Sequence, residues 1–179
     1  PPGSSRFPVL SQLTEDVEDE GFEHVQDVGW EWGGMNQFFR IFYRESDGAQ
    51  VSVCLNEQEH MSLSYVTITT RDQKRQSWRT WNYPFSQAMP ASPSLHLNRV
   101  DGAVTFRELL LRHDSYLLDQ GITEDRILRD DPEDILTLME QETRNQVDHN
   151  LSRGILALSG KGTFRYSWRG LFYLWAQFV

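Results

Sequence analysis

Hydrophobic and polar residues alternate with a period of two in several short segments before residue 100, a pattern typical of β-strands. The segments predicted as strands are Glu23–Val28, Gln37–Arg44, Val51–Leu55, Ser62–Thr70, Gln76–Asn82 and Leu95–Val100. Ser46-Asp47-Gly48 and Asp72-Gln73-Lys74 are short turn signals between consecutive segments. Strands joined by short turns pair in the antiparallel direction, so we predict an antiparallel sheet.

The alternation also predicts which side of each strand is buried. In Gln37–Arg44, Phe39, Ile41 and Tyr43 lie on one face, and we expect that face to meet the core. The strand Val51–Leu55 alternates apolar residues with Ser52, Cys54 and Asn56, which predicts that its second face is solvent-exposed. Prolines at 84, 90 and 93 indicate that Tyr83–Ser94 is a loop.

The remaining segments have the 3.6-residue period of helices. Pro8–Glu20 begins with a proline at its first position. Phe106–Gln120 follows a capping box in which Thr105 is the cap and Glu108 reaches back. Its predicted buried stripe comprises Phe106, Leu109, Leu110, His113, Leu117 and Leu118. Asp131-Pro132 is the predicted start of a helix that runs to Ser152 with Ile135, Leu138, Met139, Val147 and Leu151 inside, and Trp168–Val179 is predicted as the final helix.

These elements predict an α+β fold. We expect an antiparallel sheet of about five or six strands with helices packed on one face. A helical and hairpin C-terminal extension follows. The predicted organisation is a linker at residues 1–7, the α+β domain with its antiparallel sheet at 8–121, and a helix-hairpin-helix extension at 122–179, packed on the same domain.

Composition adds that this is an acidic, soluble domain. Lys and Arg number 17 against 26 Asp and Glu, a net charge of −9, which disfavours a general role in coating nucleic acids. The apolar content of 39% is enough for a packed core. The chain starts without Met and stops within an apolar run, so we expect it to be a piece of a longer, membrane-attached protein.

The sequence predicts no catalytic residues, no metal site and no cofactor. Cys54 is the only cysteine, which excludes an internal disulfide and favours a reducing compartment, and its strand setting predicts a packed thiol. The histidines lack metal-ligand spacing, and His113 is predicted to be a hydrogen-bonded core residue. Ser159-Gly160-Lys161-Gly162 lacks the spacing of a phosphate-binding loop and indicates a hairpin turn between Ile155–Leu158 and Thr163–Ser167.

Aromatic residues supply the first candidate partner-binding positions. Trp30 and Trp32 lie between Gly29 and Gly33-Gly34, a loop-like setting that leaves large side chains accessible. On a strand, Trp81 points to the face opposite Trp78, so one of the two is directed away from the main core. Two-layer α+β domains also use tryptophans as ordinary core residues, so two alternatives stay open for Trp30, Trp32 and Trp81. They either belong to the core or, as partner-binding candidates, contact a partner.

The C-terminal end resembles a known structural family over about a quarter of the chain. Asn150-Leu151-Ser152-Arg153-Gly154-Ile155-Leu156 followed by Thr163–Gly170 resembles the recognition-helix and wing end of winged-helix domains. The resemblance implies a nucleic-acid contact through the hairpin, with Lys161, Arg165 and Arg169 on one exposed face. The acidic stretch Asp130–Glu142 departs from that pattern. Because of the resemblance of the hairpin, we add Arg165 and Arg169 to the partner-binding candidates.

Three classes of function stay open on this evidence. The first is a non-catalytic interaction or regulatory domain, whose partner we expect to be a protein, with a membrane close by. In this class the helix Trp168–Val179, with Phe172, Trp175 and Phe178 at helical spacing, runs toward a membrane surface or the rest of the protein. The second is a nucleic-acid-binding or scaffold role through the wing-like hairpin. The third is a small-ligand-binding domain or enzyme whose site is assembled from scattered residues, since such sites are recognised by geometry.

Overall fold

A computed structural model describes residues 9–32, 35–58, 61–85, 87–102, 105–160 and 163–177. Its contacts divide the chain into two compact units. The first unit comprises residues 1–84 and 96–132, and the second comprises 85–95 and 133–179. The second unit therefore includes the loop 85–95, which the sequence analysis assigned to the first domain.

The first unit is built on a long meandering sheet. Its strands are β1 (Glu23–Trp32), β2 (Met35–Arg44), β3 (Ala49–Gln58), β4 (Met61–Asp72), β5 (Ser77–Trp81), β6 (Leu95–Arg99) and β7 (Ile127–Leu128). The first six lie in chain order across the sheet, and β7 pairs with the end of β4. Neighbours from β1 to β5 are antiparallel. The α+β class is confirmed.

Strand β6 runs in the other direction from the one we predicted. Thr80 of β5 accepts a hydrogen bond from the Asn98 side chain at 3.2 Å, and Trp81 accepts one from the Val100 amide at 2.9 Å. A residue later in β5 therefore contacts a residue later in the segment of β6, which is the order found between parallel strands. The cause is the connection, because a loop of a dozen residues can carry the chain back across the sheet, whereas a tight turn reverses it.

Two helices cover one face of this sheet, as predicted. They are α1 (Val9–Asp19) and α2 (Phe106–Asp119), and Gly21 and Gly121 follow their ends with φ of +82° and +69°. The core between helices and strands contains Leu10, Val17, Phe42, Val51, Val53, Leu55, Val66, Ile68, Phe106, Leu109 and Leu110. The oxygen Oγ1 of Thr105 accepts from the Glu108 amide at 3.2 Å, which confirms the cap.

The prediction for β2 and β3 is confirmed for Ile41 and Tyr43, which are buried, and is wrong in two other respects. The helices pack on Phe38 and Phe42 of β2, whereas Phe39 lies on the opposite face and is only half-buried. β2 carries large apolar residues on both faces, so its alternation does not tell them apart. The second face of β3 is also not wet, since Ser52 and Cys54 are both buried.

One position on α2 was also assigned to the wrong side. Leu118 is 70% exposed, although it was predicted to join the buried stripe. It follows the buried Leu117 directly, and consecutive helical residues point about 100° apart. Phe106, Leu109, Leu110, His113 and Leu117 are buried as predicted.

The second unit contains α3 (Ile135–Ser152), β8 (Leu156–Leu158), β9 (Phe164–Tyr166) and α4 (Trp168–Trp175). The predicted hairpin and final helix are confirmed. Pro132 begins a single 3₁₀ turn, and the α-helix starts only at Ile135, so Asp131 does not cap it. Four of the five predicted inner residues of α3 are half-buried, and the buried ones are Ile135 and Asn150.

Candidate functional site

Among the described residues, exposed apolar side chains are concentrated in the C-terminal hairpin and α4. The corner before the hairpin is Gly154, whose φ of +68° ends α3. The Ile155 amide donates to the Asn150 carbonyl at 2.9 Å and closes this corner. Strands β8 and β9 then pair in antiparallel register, with Leu156 opposite Tyr166 and Leu158 opposite Phe164.

Helix α4 is fixed to the corner by its first residues. The Ser167 amide donates to the Ile155 carbonyl at 2.9 Å, and the Ser167 hydroxyl donates to the Gly154 carbonyl. The same hydroxyl oxygen accepts from the Gly170 amide at 3.1 Å, as an N-cap residue does. A Cβ atom at Gly170 would overlap the Ile155 carbonyl oxygen, so this contact requires glycine.

The inner side of α4 is held by polar contacts as well as packing. Tyr173, Leu174 and Gln177 are half-buried, and Gly170 is buried. The Gln177 side-chain amide donates to the Gln87 carbonyl at 2.9 Å. Close by in sequence, the Tyr166 hydroxyl donates to the Ala88 carbonyl at 3.0 Å. Burial raises the pKa of Tyr166 and of Tyr173. These contacts set the rotation of the helix.

The outer side of α4 consists of large apolar residues. We call Trp168, Leu171, Phe172 and Trp175 the α4 stripe. Their spacing of three and four residues places them on one helical face. Trp168 is 88% exposed, Phe172 66% and Trp175 57%, and the Phe172 and Trp175 rings lie 5.6 Å apart. The hairpin adds two exposed apolar side chains, Leu158 and Phe164, at paired positions.

Three described arginines lie in the same segment of the chain as the α4 stripe. Arg153, Arg165 and Arg169 are all exposed, and none forms an ion pair with another described residue. The Arg169 side chain passes 3.9 Å from where a Cβ would stand on Gly154. From residue 149 to residue 177 the sequence has four basic residues and no Asp or Glu. Lys161, the fourth, lies outside the described residues.

The predicted partner-binding tryptophans fall in the first unit. Trp30 and Trp32 belong to β1, where they pair with Gln37 and Met35, so their setting is a strand and not the loop we expected. Their side chains lie outside the description. Trp81 is half-buried on the sheet face opposite the helices, and Trp78 is buried on the helix side, as their spacing predicted.

Trp81 belongs to an aromatic group next to a cleft. Its ring stacks on Tyr83 with 5.3 Å between centroids, and Tyr83 meets Tyr65 edge-on at 4.8 Å. The adjoining cleft has a volume of about 640 Å³ and is lined in part by Leu13, Tyr65, Val66, Asn82, Tyr83 and Arg99. Arg99 pairs with Asp101 at 2.7 Å at its rim. The shape of the cleft suits an apolar ligand, but the described lining residues do not indicate a particular ligand.

Two buried residues of types that can take part in catalysis, His113 and Cys54, have surroundings that give them a structural role. His113 lies between Thr70 and Thr80, with Nε2 and Nδ1 each 2.9 Å from a threonine Oγ1. Burial lowers the pKa of His113 to about 4, so the ring is neutral and acts as a core hydrogen-bonding group, as predicted. Burial raises the pKa of the Cys54 thiol to about 12, which suppresses the thiolate that a nucleophile needs.

The described residues contain no group of three or more His, Cys, Asp or Glu placed to hold a metal ion. Within the same part of the chain, no helix is both long enough and apolar enough to cross a bilayer. A buried ion pair joins Arg71 and Asp130 at 3.1 Å, and Arg71 also donates to Gln50 at 3.1 Å. These contacts tie the segment after β7 to the sheet.

Comparison with known proteins gives no relative, because no family model, no curated protein and no solved structure matches the chain. The candidate site therefore rests on the α4 geometry alone. The sequence singled out Arg165 and Arg169 as partner-binding candidates, and Phe172, Trp175 and Phe178 as residues of an interfacial helix. Phe178 lies outside the described residues, and Trp168 and Leu171 of the α4 stripe were not singled out. Their helical spacing was visible in the sequence, whereas the side of the helix that faces outward was not, since Tyr173 and Leu174 are also apolar.

Proposed function

We propose that this chain is a non-catalytic interaction domain that contacts the surface of a lipid membrane through the α4 stripe. The observation that supports the proposal most directly is the exposure of Trp168, Phe172 and Trp175 on one face of a helix whose other face is fixed. An amphipathic helix that lies in a membrane interface has this composition, with tryptophan, phenylalanine and leucine on the inserted side.

The arrangement of α4 favours an interface over a place in the protein core. Helices normally bury their apolar stripe, and exposure of large apolar residues in one contiguous row marks a contact surface. Here the inner side of α4 already makes its contacts through Gly170 and Gln177, so the stripe is the remaining side. Tryptophan suits the boundary between water and acyl chains because its ring is large and apolar and its N–H group is polar.

A wing that binds nucleic acid is the second candidate for the same region. The exposed Arg153, Arg165 and Arg169 favour it. The apolar α4 stripe and the exposed Leu158 and Phe164 contribute nothing to a phosphate contact. We therefore favour the lipid surface and make duplex binding an outcome of the test.

The test is flotation of the full chain with extruded vesicles, in phosphatidylcholine alone and in equal parts phosphatidylcholine and phosphatidylserine. Brominated phosphatidylcholine in the same vesicles should quench tryptophan fluorescence, because bromine quenches only indoles within the interface. A variant with Trp168→Ser, Phe172→Ser and Trp175→Ser should lose binding. Its matched control removes apolar surface elsewhere, with Leu111→Ser and Leu118→Ser on α2, where both residues are at least 60% exposed.

The proposal is supported if wild type and control bind at least one vesicle type and the stripe variant binds neither. Circular dichroism should show that all three proteins are folded. Absence of binding by folded wild type to both vesicle types would refute it, as would undiminished binding of the stripe variant. Self-association or duplex binding that depends on the stripe, without vesicle binding, would assign the surface to another partner and equally refute it.

A further inference from the structure

We infer that the lipid surface is anionic and that Arg165 and Arg169 contact its phosphate groups beside the inserted α4 stripe. This inference rests on the proposed function and adds the chemistry of the headgroup. Arg165 is exposed in the middle of β9, and Arg169 is exposed in the first turn of α4. Arg169 directly follows Trp168, the most exposed residue of the stripe, and its guanidinium lies 3.9 Å from the position that a Cβ atom would take on Gly154.

Helix stability does not explain the position of Arg169. The N-terminal end of a helix carries a partial positive charge, which disfavours a cation in the first turn. Arg153 is different, because it caps the C-terminal end of α3, where a cation is favourable. No acidic residue occurs between 149 and 177 to compensate Arg165 or Arg169. Neither Arg165 nor Arg169 has an anionic partner among the described residues, and an external anion would supply one.

The charge of the chain is distributed in a way that fits this inference. The second unit has five acidic and five basic residues, so the net charge of −9 belongs to the first unit. Within the second unit the acidic residues all precede residue 149 and four of the basic ones follow it. The positive potential is therefore concentrated on the hairpin and α4, the elements that carry the exposed apolar side chains. Arginine pairs with phosphate through two parallel hydrogen bonds, and an anionic leaflet attracts basic residues within a Debye length.

The experiment measures partitioning of the full chain onto the two vesicle compositions used above, at about 0.1 M and about 1 M salt. Wild type should bind phosphatidylserine vesicles more tightly than neutral ones, and high salt should remove the difference. Each basic residue near the surface contributes about fivefold in affinity. The double variant Arg165→Gln, Arg169→Gln should therefore lose roughly 25-fold on anionic vesicles and little on neutral ones.

The matched control is Arg107→Gln with Arg112→Gln, two exposed arginines on α2 that should leave binding unchanged. Equal binding of wild type to both vesicle types, or a double variant within twofold of wild type, would refute the inference. The proposed function would survive that result as long as binding still needs the α4 stripe. Inorganic phosphate should displace the chain from anionic vesicles no more than chloride does at equal ionic strength. Stronger displacement by phosphate would indicate a discrete phosphate-binding site and would contradict a lipid surface as the origin of the bound phosphate groups.

Discussion

Gly170 in the first turn of α4 lies directly against the carbonyl oxygen of Ile155 at the entrance of the hairpin. Backbone meets backbone here, so neither atom has a flexible side chain that can move aside. The contact fixes the helix that carries the α4 stripe, and it connects the proposed surface to the fold of the second unit.

Replacing Gly170 with alanine should therefore destabilise the second unit. The added methyl group would overlap the Ile155 carbonyl and approach the Tyr166 ring to 2.9 Å. Overpacking of this kind costs about 1–3 kcal/mol. Urea denaturation should report the loss, and vesicle binding should fall with it. Gly160→Ala is the matched control, because a Cβ there meets nothing within 4 Å. Equal stability of the two variants would contradict the close approach.

Leu110→Ala should destabilise the chain through a cavity between α2 and the sheet. Leu110 is buried among apolar residues of the first unit, and such truncations cost about 2–5 kcal/mol. Its neighbour Leu111 is 60% exposed, and Leu111→Ala should change stability by less than about 0.5 kcal/mol. Thermal or urea unfolding measures both. Similar losses for the two variants would show that α2 is rotated from the position described.

Stability should depend on pH through His113. Its pKa is about 4 in the folded chain and 6.5 ordinarily, because burial disfavours the charged ring. Between those values the unfolded state binds more protons, so the contribution is complete above pH 6.5 and is lost as pH falls toward 4. The difference corresponds to about 3 kcal/mol. Unfolding free energies measured across this window should fall more steeply for wild type than for His113→Gln. Parallel curves would indicate that the ring titrates normally.

The Cys54 thiol should be unreactive in the folded protein. Its pKa is raised to about 12 by burial, and its Sγ atom is inaccessible on β3. A disulfide reagent at pH 8 should label it slowly in buffer and quickly in denaturant, because reaction needs both access and thiolate. Rapid stoichiometric labelling of native protein would reopen the possibility of a nucleophilic cysteine.

Local signals accounted for most of the elements. Thr105 before Phe106 and the glycines at 21, 121 and 154 mark helix ends by backbone chemistry that neighbouring residues alone dictate. The same holds for the turn at Ser46–Gly48, where Gly48 has a φ of +65°. Strand β6 was located correctly, but its parallel direction depends on where a long loop carries the chain, which no local pattern specifies.

The candidate site was predictable in part. Exposed Arg165 and Arg169 followed from charge and turn patterns, and the final helix followed from its period. The spacing of Phe172 and Trp175 predicted an amphipathic helix near a membrane surface, but it did not identify the exposed side of that helix, because an apolar helical stripe ordinarily faces a core. Tyr173 and Leu174 offered an equally apolar second side, and the Gly170 contact decided between them.

The sequence by itself determined the α+β class, the elements and most of their ends, since hydrogen-bonding and steric preferences of adjacent residues act over a few positions. Tertiary structure alone decided that Phe42 and not Phe39 faces the helices, that Ser52 is buried, and that the α4 stripe points outward. Each of these depends on which surface finds a partner distant in the chain, and that choice is made by packing rather than by local preference.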